Sequence, residues 1–193
     1  MKTVVKSLGR LAMLSGLLMT AACANVSLVP ADRPVSVGNG VTVMPQQQWN
    51  QIKADHILWT SEGANIDQIN FLTGIKSGKP LIEIPGMRDE QIGVFDAKML
   101  PNDVQDLVVG TMTKMGYQTV KPGNLTPCPF GSGQGFCFDL DFSTASGLQM
   151  KGKTMARKQA DTLDVFLFEA PSEYYFGTLS PTVSKVFASA QTK

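Results

Sequence analysis

The amino-acid sequence predicts an α+β domain, an antiparallel sheet with helices packed on its faces. Three observations carry this expectation. Phe136, Phe138, Leu140 and Phe142 alternate with Cys137, Asp139 and Asp141, the period of a strand that buries one face. Val104, Leu107, Val108, Thr111, Met112 and Met115 recur at helical spacing and form a single apolar stripe. Finally, the turn-rich segments 143–147 and 158–161 divide the last third into three strand-like runs, the pattern of a meander.

Composition sets the outer bounds. The chain has 193 residues, of which 43% are hydrophobic and 17% charged, which places it among folded globular proteins rather than disordered ones. Seventeen basic residues against sixteen acidic ones leave a formal charge of +1, and no basic run is present, which argues against a nucleic-acid binder. No internal repeat is visible.

At the N-terminus, Lys2, Lys6 and Arg10 precede an apolar stretch from Leu11 to Met19, followed by Thr20, Ala21, Ala22 and Cys23. That stretch is nine residues, or twelve with Thr20, Ala21 and Ala22, short of the roughly 20 that a spanning helix needs, so residues 1–22 read as an export signal. Without them the chain carries 14 basic and 16 acidic residues and is faintly acidic. Met19-Thr20-Ala21-Ala22-Cys23 resembles the bacterial lipobox, with Thr20 in place of the usual Leu. That resemblance implies lipidation of Cys23 and anchoring to a membrane. Cleavage by the ordinary signal peptidase after Ala22 or Ala24 is the alternative.

Residues 23–36 contain Pro30 and Pro34, lack a helical period and read as a lipidated tether, leaving 37–193 as one domain. Asn39-Gly40 between Val37 and Val41 is a hairpin signal. Trp49 and Ile52, three apart, fit a helical turn or two over Pro45–Ile52. Strands are expected at His56–Thr60, Ile66–Thr73 and Pro80–Ile84, then a long loop from Pro85 to Pro101. The helix is expected over Asp103–Met115, capped by Asn102 and ended by Gly116, with a strand at Tyr117–Lys121 after it. The meander strands are Gly135–Phe142, Leu148–Arg157 and Thr162–Glu169. Val165 and Leu167, with Phe166 and Phe168, make the last apolar on both faces and central in the sheet. A final helix is expected to start at Ser180 with Pro181 in its first turn and Val183, Val186, Phe187 and Ala190 on one stripe.

Three cysteines in an exported chain leave one unpaired, and Cys23 is the one at the lipobox. A disulfide between Cys128 and Cys137, closing a glycine-rich loop, is therefore the first reading. Zinc is disfavoured because His56 is the only histidine, and redox chemistry because the nine-residue step is not Cys-x-x-Cys.

The segment order Val41-Thr-Val-Met-Pro45 with Trp49, Ile57-Leu-Trp-Thr-Ser-Glu-Gly63, Ile69-Asn-Phe-Leu-Thr-Gly74 and Phe166-Leu-Phe-Glu-Ala-Pro171 followed by Tyr174-Tyr175 resembles a group of uncharacterised proteobacterial outer-membrane lipoproteins. The resemblance covers about residues 37 to 190. The layout is also similar to the PsbP-like fold, an α/β/α sandwich whose members act mostly as non-catalytic adaptors or assembly factors. For this chain it implies architecture alone and carries no catalytic motif. Ala24 after the lipidated cysteine implies sorting to the outer membrane, with the domain in the periplasm.

Few residues carry a chemical signature. Gly131-Ser-Gly-Gln-Gly135 lacks the Lys-Ser/Thr of a phosphate loop and precedes a strand, not a helix. His56 serves as a general base only where a nucleophile and an orienting acid converge on it. Asp139 and Asp141 share a strand face that either binds a cation or is simply solvated, and the charged group Glu83, Arg88, Asp89, Glu90 and Asp96 reads as a solvated loop in preference to the lining of a site. Tyr174 and Tyr175 offer a partner surface, or else one core and one rim side chain. No catalytic residue, metal or cofactor is expected. The reading is a non-catalytic binding or envelope-assembly adaptor, with a carrier of small apolar ligands or lipid, holding its cargo between sheet and helices, as the alternative and a hydrolase using His56 as the third.

Overall fold

A computed structural model describes residues 26–53 and 55–192. The expected signal segment 1–22 and the expected lipidation site Cys23 lie outside the described residues. The chain is mostly antiparallel sheet with a few helices. In chain order, β1 (Val26–Val29), β2 (Val35–Gly38), β3 (Val41–Val43), β4 (Trp49–Lys53), β5 (Ile57–Thr60) and β6 (Gln68–Lys76) come first. The single turn α1 (Asp89–Ile92) and the helix α2 (Pro101–Lys114) follow. Then come β7 (Gln118–Phe130), β8 (Gly133–Ser143), β9 (Gln149–Gln159) and β10 (Thr162–Pro171), and last the helix α3 (Tyr175–Ala188) and β11 (Gln191–Thr192). Eight strands form one sheet in the order β1-β4-β5-β6-β10-β9-β8-β7, while β11, β3 and β2 form a smaller one.

β10 is central, as its two-sided apolar pattern predicts. Phe166, Phe168 and Ala170 join a core cluster with Trp49, Trp59 and the α3 residues Val183, Val186 and Phe187. Val165 and Leu167 point the other way, into a cluster with Phe138, Leu140, Phe142 and the α2 residues Val104, Leu107, Val108 and Met112. The alternation of side chains along one strand thus feeds two cores. The Asn39-Gly40 hairpin forms, both residues having the positive φ (46° and 71°) that a two-residue turn with the twist of its strands requires.

Six elements differ from expectation, β7 among them. Pro45–Ile52 is not helical: Trp49–Lys53 is β4, paired with β1 and β5, because two apolar residues three apart cannot distinguish a turn of helix from a short strand. Trp49 instead stacks on Trp59 with ring centroids 6.4 Å apart, and its indole N–H donates to the Pro45 carbonyl. Pro80–Ile84 is not a strand; Gly78 and Lys79 bond the backbone of Phe95, whose ring is fully buried. α2 starts at Pro101, not Asp103, and its cap is Leu100, whose N–H donates to the Asp103 carboxylate at 2.8 Å. α3 starts at Tyr175 and runs through Pro181, because the apolar face extends back to Leu179 and Phe176 stacks on Phe168; packing outweighs the hydrogen bond that the proline forfeits. Finally, Val26–Val29, within the segment expected to be a tether, pairs with β4 along the sheet edge.

β7 is longer than expected and carries Pro122, Pro127 and Pro129. It lies at the other edge of the sheet, where an absent N–H costs no ladder bond.

Candidate functional site

On the α3 face of the sheet, β7, β8 and β9 and the C-terminal half of α3 enclose an open cleft of about 380 Å³. The volume lies at the lower end of the range typical of small-molecule sites. Met155, Phe187, Ala188, Pro129 and the Cys128–Cys137 disulfide supply apolar wall. Thr126, Asn124, Asp139, Lys153 and Ser184 add polar groups.

The strands dictate this arrangement. Thr126 pairs with Cys137 and Cys128 with Gly135, so the two sulfurs meet diagonally across the β7–β8 ladder with Cα atoms 5.8 Å apart. Gly135 allows the close approach behind them: a Cβ there would lie 2.5 Å from the Ala156 carbonyl oxygen. The glycine-rich segment is therefore a hairpin end packed on β9. Asp141 is solvated, whereas Asp139 is only half-exposed and lines the cleft.

A second polar constellation lies on the opposite face, in the α2 core. Glu169, 1% exposed, accepts hydrogen bonds from the side-chain amides of Gln68 and, at 3.1 Å, Asn70. Gln68 also reaches the Tyr117 hydroxyl at 3.5 Å. Burial raises the Glu169 pKa from 4.5 to about 7, the donors around it pulling the other way. Burial, and then the nearby Glu169 carboxylate, push the Tyr117 hydroxyl well above its ordinary value. A buried acid at Glu169 was not among the expectations from sequence. The signal was there: it extends the Val165, Leu167 side of a strand whose two faces are both buried.

His56 is tied into the edge of that network. Its Nδ1 lies 2.6 Å from Asp55 Oδ1 and its Nε2 2.9 Å from Asn70 Oδ1, so neither ring nitrogen is free to activate a hydroxyl. Tyr174 is 66% exposed, while Tyr175 is half-buried and packs on the α3-side core; their rings meet edge to face. The Glu83, Arg88, Asp89, Glu90 and Asp96 group does not converge. Asp89 pairs with Lys79 at 3.7 Å, Asp96 accepts from the Lys98 N–H, and Glu83 and Asp89 face a hollow of about 600 Å³. Among the described residues no three His, Cys, Asp or Glu side chains are grouped to hold a metal ion, and no helix is long and apolar enough to cross a membrane.

No protein-family model and no curated protein matches the chain. Solved structures do resemble it. The solution structure of cyanobacterial PsbP (CyanoP) from Synechocystis sp. PCC 6803 matches with a TM-score of 0.54 at 11% identity, covering 93% of this chain and 99% of that one. LpqN, involved in cell envelope biogenesis of Mycobacterium tuberculosis, matches with a TM-score of 0.43 at 10% identity over 87% of this chain and 92% of that one. The CyanoP match establishes a PsbP-like fold and says nothing of activity.

Proposed function

We propose that this chain is a non-catalytic binding module of the bacterial envelope, lipid-anchored through Cys23 at the outer membrane with its domain in the periplasm, and that it holds a small apolar ligand beneath α3. The cleft is the observation that carries the reading. It is of ligand size, its wall is largely apolar, and a covalent cross-link braces one side. The anchor rests on the signal and lipobox residues 1–23. In this reading the architecture is a layered sandwich with α2 and α3 on opposite faces of the large sheet. His56 is structural, its ring nitrogens being engaged by Asp55 and Asn70.

Organic extraction of the purified exported protein, followed by mass spectrometry, tests the proposal. An apolar small molecule recovered from the wild type and lost from Ala188→Trp supports it. Ala188 lies exposed at the cleft, so a tryptophan there covers it without entering the core. Equal recovery from both proteins, or none from either, overturns it.

A second reading, an adaptor that docks a protein partner, is favoured by the exposure of Tyr174 alone. Its test is crosslinking from that position.

A further inference from the structure

Two neighbouring acid–base pairs face each other across β8 and β9 in the same way but behave differently. Asp141 and Lys151 are register partners and form an ion pair at 3.8 Å. Asp139 and Lys153, the next pair on that face, are also register partners, yet they form no ion pair among the described residues. Lys153 leans away and its ammonium donates to Ser184 Oγ on α3 at 2.9 Å, in a half-buried position. Asp139 turns to the other side and accepts from the Asn124 amide on β7 at 3.2 Å, in an exposed one.

The pair is therefore splayed open, and both halves line the cleft. The cation is on the α3 side, where Phe187 and Met155 supply apolar neighbours. A half-buried ammonium whose side-chain partner is a neutral hydroxyl, with no carboxylate of the described residues within ion-pair distance, favours an anion. An ammonium has three N–H donors, of which Ser184 takes one.

We infer that the cleft takes a single-chain amphiphile with an anionic head, a carboxylate or a phosphate monoester, the head meeting Lys153 and Ser184 and the tail lying along Met155, Phe187 and the disulfide. This inference rests on the proposed binding role of the cleft and adds the class of ligand. Asp139, held by Asn124, disfavours an anion on the β7 side and so sets the direction in which the head points.

The test uses the exported full chain carrying Cys23→Ser, titrated calorimetrically with decanoate, decyl phosphate, decanol and decyltrimethylammonium below their aggregation limits. The expected result is that both anions bind on the order of tenfold more tightly than decanol, the size of one charge-assisted hydrogen bond. The cation should bind more weakly than decanol. Lys153→Met is expected to abolish the preference, the anions then binding no more tightly than decanol, and Lys153→Arg to keep most of it. Equal affinity for anions and decanol, unaffected by Lys153→Met, overturns the head-group assignment and leaves the cleft standing. Binding of none of the four overturns the cleft reading itself. A preference for decanoate over decyl phosphate, or the reverse, identifies which head the site takes.

Discussion

Asn70 donates from its side-chain amide to Glu169 at 3.1 Å while its carbonyl oxygen faces His56 Nε2 at 2.9 Å, linking a fully buried acid to the residue just before β5. The other Glu169 oxygen has no partner. A carboxylate in that setting is held near neutrality, and its titration is coupled to folding.

Because the folded-state pKa of Glu169 is raised from 4.5 to about 7, the folded chain binds the proton more tightly than the unfolded one. Its contribution is therefore complete below about pH 4.5 and is lost as pH rises through about 7, a change on the order of 3 kcal/mol. Glu169→Gln is expected to remove this slope and to be more stable than the wild type at pH 8. Urea denaturation at several values from pH 5 to 8 measures it; parallel curves for the two proteins contradict the assignment.

Asp164 joins three parts of the fold. It pairs with Arg157 at 2.9 Å, accepts the Gly74 N–H at 2.8 Å and receives the Asn39 amide at 3.3 Å. Arg157 in turn lies 4.9 Å over the Phe130 ring. Asp164→Ala strands a buried guanidinium and is expected to cost about 3 to 5 kcal/mol. The double variant Arg157→Met/Asp164→Leu should recover most of that loss. Additive effects of the two sites in chemical denaturation would show that the pair is not coupled.

The Cys128–Cys137 cross-link closes a loop of sequence separation 9 at the sheet edge. Cys128→Ser/Cys137→Ser is expected to lose about 2 to 3 kcal/mol and to loosen the wall of the cleft, weakening ligand binding as well. Intact mass before and after reduction reads the bond directly. Two free thiols in the exported form would count against it.

Metabolic labelling with palmitate tests the anchor. The wild type should incorporate label and Cys23→Ser should not; an unlabelled wild type removes the membrane from the account.

Legibility of the sequence followed the strength of its periodicities. The meander, the two-sided β10 and the α2 stripe were readable because each repeats its pattern several times along one element. β4 was misread because Trp49 and Ile52 offer a single spacing, and the start of α3 because Ser180-Pro181 imitates a helix start within a longer helix. The two cysteines pointed to one wall of the cleft, but its other wall could not be read. It depends on which way Lys153 and Asp139 turn once α3 packs beside them, a choice made between elements distant in sequence. Glu169 stood within a strand recognised as buried on both faces, yet an acid near a strand end is ordinarily read as solvated.

The most direct test of a ligand-binding cleft beneath α3 is photocrosslinking in living cells from a benzophenone side chain at Thr126, which lines the cleft from the edge strand. Mass spectrometry of the recovered protein should show a covalent adduct of a small, chain-bearing molecule, diminished by Ala188→Trp. A protein left unmodified at that position, or joined there only to other proteins, contradicts the account.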